Sequence, residues 1–264
     1  MNETTFKKFR DIIHKECGIS LNPDKDALVS ARVGKRMRKL NLNSHEHYLR
    51  HLLDDRSGAE LSLFIDAMST NVTSFFREPD HFEFLKDDYS SRLSQGQHRF
   101  RFWSAASSTG EEAYSLAMEL LNFQQTARID LQILATDISK EVLDTARRGK
   151  YDSNKLQNVS PAYCTRYFDS AAATNKYTLK DRVRKCVAFK RLNLSNTPFP
   201  MTGPFDAILC RNVMIYFDAR TRERLVAECY RLLRPGGHLM VGHSESLMGI
   251  KNQSITVAPS VYVK

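Results

Sequence analysis

The chain has 264 residues, of which 39 are basic and 30 acidic, so its formal net charge is +9. No apolar run approaches the roughly 18 residues that a membrane-spanning helix needs. The first residues also lack the apolar core of a secretion signal, so we expect no membrane insertion and a cytoplasmic location. The positive charge favours an acidic partner, which could be nucleic acid, an anionic membrane or a carboxylate-rich protein surface.

The cysteines and histidines give no sign of a disulfide framework or a metal site. Five cysteines are scattered without a C-x-x-C pair, which indicates reduced thiols. The eight histidines show no metal-ligand spacing along the chain, so we predict no bound metal.

The first 75 residues have the apolar spacing of several short helices. Phe6, Phe9 and Ile13 share one helical face, and Gly18 is suited to end that helix. A second helix begins near Pro23 and is strongly basic further along. The pattern predicts a small all-helical domain over residues 1–75. The cations of its second helix are Arg32, Lys35, Arg36, Arg38 and Lys39.

Strand-like and helix-like segments alternate from residue 100 onward, which is typical of a parallel sheet with helices on its faces. Residues 163–187 interrupt this alternation with polar, basic and β-prone pieces, which we interpret as a small antiparallel β insertion. The sequence therefore predicts an α/β, Rossmann-like domain over residues 76–264.

Residues 100–121 predict a strand, a tight turn and a helix. The residues from Ser104 to Thr109 are all small, and Gly110 follows them. Such a turn lets a ligand lie on the backbone beside a helix N-terminus, as in Rossmann-like nucleotide sites. Glu111 and Glu112 in the first helical turn would repel a phosphate, which favours a ligand with a positive centre and ribose hydroxyls, such as S-adenosylmethionine (SAM). Alternatively, both acids only complement the helix dipole.

Polar side chains follow the other predicted strands at their carboxyl ends, where ligands bind in such sheets. Asp137 could accept hydrogen bonds from ribose hydroxyls, or it could only cap the next helix. Asn193 could pair with an adenine edge, since an amide is both donor and acceptor. Arg211 and Asn212 follow a buried strand. We expect these side chains to lie near the turn of small residues.

Four segments, in this order, resemble the chemotaxis receptor methyltransferase (CheR) family, which transfers a methyl group from SAM to receptor glutamates. They are residues 70–78 (TNVTSFFRE), 103–112 (WSAASSTGEE), 135–139 (ATDIS) and 210–217 (CRNVMIYF). The resemblance extends over essentially the whole chain, including the basic helical region. It implies a class I SAM-dependent methyltransferase fold, with SAM as cofactor and S-adenosylhomocysteine as product.

The resemblance also implies which residues line the cofactor site. These are Asn71, Thr73, Arg77, Ala105, Glu112, Asp137, Asn193, Leu194, Arg211 and Asn212. It implies in addition that Arg77 and Tyr216 face the reacting centre, where we interpret both as hydrogen-bond donors that orient the acceptor glutamate. A structural Arg77, bonded to loop carbonyls, is the alternative.

The partners that the resemblance implies are the cytoplasmic methylation helices of chemotaxis receptors. The five cations of the second helix would then dock on the acidic receptor, with a solvated helix face as the alternative. Relatives that bind a C-terminal receptor pentapeptide carry a Gly-x-Gly in the insertion, whereas no glycine lies between Tyr167 and Lys190. We therefore predict a pentapeptide-independent enzyme, which we expect to be a monomer.

Two other functions fit parts of the sequence. A methyltransferase acting on RNA or another nucleic acid would explain the charge, but the strand end at Arg211 and Asn212 lacks the Pro-Pro-aromatic turn of base-amino enzymes. The nucleophilic Pro-Cys of cytosine-C5 enzymes is also missing from the sequence. A non-catalytic SAM-binding interaction module would not need Arg77 and Tyr216. We therefore favour the enzyme and expect no nucleic-acid partner.

Overall fold

The computed structural model describes residues 1–122, 129–171, 175–250 and 255–264. Its α-helices, in chain order, are α1 Glu3–Cys17, α2 Asp26–Leu40, α3 His45–Asp54, α4 Ala59–Met68, α5 Pro79–Ser94, α6 Glu111–Leu121, α7 Lys140–Arg148, α8 Pro161–Tyr167, α9 Asp181–Arg184 and α10 Ala219–Leu232. None of the helices within these ranges is long and apolar enough to cross a membrane.

The strands form two sheets. In chain order they are β1 Arg99–Ala105, β2 Asp130–Asp137, β3 Lys150–Asp152, β4 Phe168–Ala171, β5 Lys176–Leu179, β6 Val187–Arg191, β7 Phe205–Cys210, β8 Leu233–Val241, β9 Ile255–Ala258 and β10 Val261–Val263. The large sheet has the order β6-β2-β1-β7-β8-β10-β9, and the small one has the order β3-β5-β4.

The N-terminal helices α1 to α4 form the predicted all-helical domain. Their apolar faces enclose a core of their own, in which Phe9, Tyr48 and Phe64 are completely buried. Gly18 ends α1 at a φ of 72°, as the sequence predicts. Local apolar periodicity was a sufficient signal here, because each helix buries one face against its neighbours.

The large sheet is the predicted Rossmann-like core. Strands β6, β2, β1, β7 and β8 pair in parallel, whereas β10 is antiparallel to both β8 and β9. Apolar cores lie on both faces of this sheet, and Trp103 of β1 is fully buried in one of them. Parallel strands place their carboxyl ends at one edge, so the loops after β1, β2, β6 and β7 meet there.

The small antiparallel sheet is also present. One of its strands, β3, precedes the range 163–187 that the composition indicates, and β5 pairs with both β3 and β4. Three residues of β3 carry too little local pattern to mark a strand. Residues 172–174, between β4 and β5, lie outside the described residues, and they are part of the segment on which the pentapeptide prediction depends.

The helical domain packs against the loops at the carboxyl edge of the large sheet. The backbone of Ile19 bridges to Phe217, and the Ser20 N–H donates to the carbonyl of Tyr216 over 2.7 Å. A Cβ on Gly18 would lie 2.7 Å from Cβ of Ser195, so only glycine allows this approach. The end of α1 thereby becomes a wall of the site.

Candidate active site

A cavity of about 320 Å³ lies between the helical domain and the carboxyl edge of the large sheet. This volume is within the usual range for a small-molecule site. Most of the predicted site residues line it, together with the end of α1 and the segment after α4. Those that do are Asn71, Thr73, Arg77, Glu112, Asp137, Asn193, Leu194, Arg211, Asn212 and Tyr216.

The turn after β1 forms one side of the cavity. Ala106 and Ser108 adopt positive φ angles of 61° and 49°, and Gly110 follows at 96°. A Cβ on Gly110 would lie 2.9 Å from Cβ of Ala146, so this position requires glycine. Ala105 was predicted to contact the cofactor, but its side chain is 1% exposed in the sheet core, and Ala106 lines the cavity instead.

The two acids at the start of α6 have different roles. Glu112 faces the cavity, where its carboxylate accepts a hydrogen bond from Ser104 Oγ over 2.6 Å. Glu111 is completely buried, lies 3.1 Å from the Lys155 ammonium and accepts from Thr109 Oγ1. The expectation that both acids face the ligand is therefore wrong for Glu111, because consecutive helical residues point in different directions.

A buried ion network joins the cavity wall to the start of α5. The side chain of Arg211 is 1% exposed and lies 2.9 Å from a carboxylate oxygen of Glu78 and 3.1 Å from one of Glu112. It also donates to the carbonyl of Arg77. Burial alone would raise the pKa of Glu78, but hydrogen bonds and charge from Arg211, with the amide of Asn212, bring it below its ordinary value.

Glu112 responds differently to the same guanidinium. Burial raises the pKa of Glu112 above its ordinary value, although Arg211 and Ser104 oppose this effect. Arg211 thus holds two acids close together, Glu112 on the cavity wall and Glu78 outside it, although their like charges repel each other.

Glu245 was missed by the sequence reasoning. Its buried carboxylate accepts hydrogen bonds from the backbone N–H groups of Asn212, Met214 and Gly242, each over 2.7 Å. These bonds hold the loop after β7, which carries Tyr216, against the end of β8. No local motif marks this role, because the partners of Glu245 on that loop lie on a separate segment of the chain.

Asp137 lies at the end of β2, as predicted. Its carboxylate accepts from the N–H groups of Ser108 and Ser139, each over 2.9 Å. Burial raises its pKa, and these hydrogen bonds oppose the shift. Ser139 itself caps α7 through its side chain, so Asp137 connects two loops at the cavity wall.

Asn193 lines the cavity, but its amide is already used by the protein. Its Nδ2 donates to the carbonyl of Glu16 over 2.7 Å, and its Oδ1 accepts from the N–H and the hydroxyl of Ser195. The amide therefore links α1 to the loop after β6. The prediction that it reads an adenine edge does not fit these contacts, because its acceptor oxygen is occupied.

Arg77 and Tyr216 both line the cavity. The Arg77 side chain is 39% exposed, and its Nη1 donates to the carbonyl of Val72 over 3.2 Å. This is the loop-carbonyl contact that the structural alternative anticipated. It uses one of the five N–H donors of a guanidinium, so further donors are available to a ligand. Tyr216 is half-buried in the loop held by Glu245.

The five cations of α2 separate into three environments. Arg36 is buried, where it makes an ion pair of 2.6 Å with Glu60, which also accepts from the hydroxyl of Tyr48. The prediction that Arg36 docks a partner is therefore wrong, because its charge is neutralised inside the helical core. Arg32 lies on the cavity wall and donates to the carbonyl of Met68 and to Thr70. The exposed cations are Lys35, Arg38 and Lys39.

Comparison with known proteins agrees with this architecture. The family model described as "CheR methyltransferase, SAM binding domain" matches residues 71–263, and "CheR methyltransferase, all-alpha domain" matches residues 4–69. The chain belongs to the CheR methyltransferase family. It is a SAM-dependent chemotaxis protein methyltransferase, the class of protein-glutamate O-methyltransferases.

Individual CheR relatives match nearly the whole chain. Chemotaxis protein methyltransferase 2 of Pseudomonas aeruginosa is 39% identical over 259 residues, which cover 97% of this chain and 91% of the relative. The chemotaxis protein methyltransferase of Escherichia coli is 37% identical over 264 residues, which cover 99% of this chain and 91% of the relative.

The cavity fits the cofactor of the CheR family. The carboxylates of Glu112 and Asp137 on its wall suit a positive centre and hydroxyl groups, respectively. Apolar side chains of Ile138, Leu192 and Leu194 provide a surface for a flat ring. The pairing of Glu111 with Lys155 leaves Glu112 as the acid of α6 that would hold SAM.

Proposed function

We propose that this protein methylates glutamate side chains on the cytoplasmic helices of chemotaxis receptors, acting as a monomer in the cytoplasm. The observation that carries the proposal is that two hydrogen-bond donors, Arg77 and Tyr216, line the same cavity as the carboxylate of Glu112. The donors suit an anionic acceptor, and Glu112 suits a cationic methyl donor.

The reaction needs little from the protein beyond positioning. A glutamate is already ionised at neutral pH, so the enzyme needs no general base. SAM, when bound, supplies a methyl group on a positively charged sulfur. Attack by the carboxylate neutralises both charges, so a cavity that excludes water favours the transition state. In this proposal Arg77 and the Tyr216 hydroxyl hold the carboxylate in line with the methyl group.

Exposed apolar side chains surround the cavity and suit a helical substrate. Leu28, Val72 and Ile215 line the cavity and are 41%, 78% and 52% exposed, respectively. Large apolar side chains exposed together are typical of an interaction surface. We propose that the small and apolar residues flanking the acceptor glutamate pack on this rim, while Lys35, Arg38 and Lys39 attract the acidic receptor surface.

Charge reversal on α2 tests this docking model. The double variant Lys35→Glu with Arg38→Glu should raise KM for a receptor fragment by about tenfold at low salt. High salt should reduce the difference, because exposed charges are screened. The dissociation constant for SAM, measured by calorimetry, should not change. The matched control is Lys140→Glu with Arg148→Glu on α7, which should leave KM as in the wild type; an equal rise in both double variants would contradict the model.

Methyl-ester release is the direct test of the function. Receptor cytoplasmic fragments and RNA are incubated separately with labelled SAM, and the products are treated with base. Base-labile methyl groups on receptor fragments support the proposal, because methyl esters hydrolyse and N-methyl groups do not. Stable label on RNA would instead support a nucleic-acid methyltransferase. SAM binding without transfer to either substrate would support a non-catalytic binding module.

We further propose that receptor methylation does not depend on a C-terminal receptor pentapeptide. Support comes from the sequence of the segment between Tyr167 and Lys190, which has no glycine. Receptor fragments with and without the pentapeptide should therefore be methylated with the same kcat/KM. Submicromolar binding of the isolated peptide, measured by calorimetry, would overturn this proposal.

A further inference from the structure

Three side chains with metal-ligand chemistry converge beside the ion network, at the start of α5. Glu78, His81 and His243 each place one ligand atom within 4.8 Å of those of the other two. Glu78 precedes α5 as its N-cap and His81 lies in the first turn of that helix, a proximity that the histidine spacing alone did not indicate when it predicted no bound metal. His243 comes from the segment directly after β8.

The ring of His81 is buried, and it has no hydrogen-bond partner among the residues that the structure describes. Its side chain is 1% exposed, and within the described part of the chain neither ring nitrogen has a partner. The nearest carboxylate oxygen, on Glu78, is 3.6 Å from Nδ1, which is too long for a hydrogen bond. Buried polar groups are rarely left unsatisfied. We therefore expect a ligand at this imidazole, bound through the lone pair of one ring nitrogen.

His243 has the surroundings of a metal-binding histidine. Its Nε2 lies 2.9 Å from the carboxylate of Asp80, which leaves the other ring nitrogen available. Histidine ligands commonly have such a carboxylate on the nitrogen that does not bind the metal, because it fixes the ring and increases its basicity. The side chain of His243 is 45% exposed, so an ion can enter from solvent.

The local charges also allow a cation. Arg211 is the buried guanidinium of this region, and Arg77 lies 3.9 Å from Glu78 on the exposed side. Three carboxylates lie in the same region: Glu78 and Glu112 contact Arg211, and Asp80 contacts His243. With these three carboxylates and two guanidinium groups ionised, the local charge is −1, and a divalent ion would change it to +1. The carboxylates of Glu78 and Asp80 would lie closest to the ion and stabilise its charge.

We propose that Glu78, His81 and His243 form a binding site for a divalent transition-metal ion of the zinc type. Two imidazoles and one carboxylate are a ligand set that zinc and cobalt accept, with a further position for water. The site lies outside the cofactor cavity, but its ligand Glu78 is shared with the ion network behind the cavity wall, where it accepts hydrogen bonds from Arg211 and Asn212.

The shared ligand predicts an effect on activity. An ion that draws the carboxylate of Glu78 toward the histidines weakens its contact with Arg211, and with it the wall of the cavity. Zinc should therefore lower methyl transfer reversibly, and a chelator should restore it. The expected inhibition by zinc rests on the proposed methyltransferase function, whereas metal binding itself does not.

Cobalt binding tests the site without any activity measurement. Untagged wild-type protein titrated with Co²⁺ should develop visible d–d absorption with a stoichiometry of one, and Zn²⁺ should displace it. The exposed variant His243→Asn should weaken binding by at least about tenfold, and Asp80→Asn by about 10–100-fold. The matched control His98→Asn, at another exposed histidine, should bind as the wild type does. Absence of binding, or equal binding by His243→Asn, would overturn the proposal.

Activity assays then separate the two parts. Zinc should inhibit the wild type and His98→Asn but not His243→Asn, at a concentration that saturates the cobalt site. Inhibition of all three proteins to the same extent would show that zinc acts elsewhere. If no protein transfers methyl groups but the cobalt spectra behave as expected, the proposed function fails and the metal site stands.

Discussion

Replacing Arg211 by methionine should lower the free energy of unfolding by about 3–5 kcal/mol, because two carboxylates then lose a buried partner. Glu78 and Glu112 both bond to this guanidinium, whose side chain is 1% exposed. Methionine keeps much of the volume and the contact with Phe82, so the loss reports on charge. SAM binding should be lost as well, because Arg211 holds the carboxylate of Glu112, which lines the cavity.

Chemical denaturation and calorimetry measure these two effects. The matched control is Arg220→Met on the exposed start of α10, which should change the unfolding free energy by less than about 0.5 kcal/mol. Adding Glu78→Gln to Arg211→Met should recover part of the lost stability, because one unpaired charge is removed. A single Arg211→Met variant as stable as the control would contradict a stabilising role of this ion network.

The second large effect is expected for Arg77→Ala, which should lower kcat by about 100-fold or more through loss of substrate orientation. The dissociation constant for SAM should rise by no more than about fivefold. This factor corresponds to roughly 1 kcal/mol, which is the net value of the hydrogen bond that Arg77 donates to the Val72 carbonyl. Single-turnover kinetics with a receptor fragment measure the first quantity, and calorimetry measures the second.

The two interpretations of Arg77 predict opposite patterns. If it only supports the loop through Val72, SAM binding weakens while kcat at saturating SAM is retained. If it orients the acceptor carboxylate, kcat falls and SAM binding persists. Arg77→Lys serves as a further comparison: a lysine keeps the charge but not the planar fork, so kcat should recover only in part. Tyr216→Phe, which removes one hydroxyl, should have a smaller effect than Arg77→Ala.

Much of the fold could be predicted because its signals are local. Apolar residues at helical spacing marked α1 to α4, and short apolar runs followed by polar residues marked β1, β2 and β7. The small residues after β1 indicated a tight turn. The structure shows this turn, in which Ala106, Ser108 and Gly110 have positive φ angles. Strand β3 had no such signal, since its three residues form a strand only by pairing with β5.

The roles of individual charges were harder to predict. Arg36 and Lys35 are neighbours on one basic helix, yet one makes a buried ion pair with Glu60 and the other is exposed. Glu111 and Glu112 are also neighbours, and only Glu112 reaches the cavity. In both cases the difference is the direction of a side chain relative to a packing partner that is remote in sequence.

The amino-acid pattern was enough for the α/β class, the helical N-terminal domain, the family and the segments that surround the cavity, because periodicity and short motifs are properties of neighbouring residues. Tertiary packing decided which side chains work together. It used the amide of Asn193 to hold α1, placed Glu245 under the loop of Tyr216, and brought His243 to Glu78 and His81. These contacts join segments that are far apart in the chain. They can form, and stabilise the protein, only after the sheet and the helical domain have packed together.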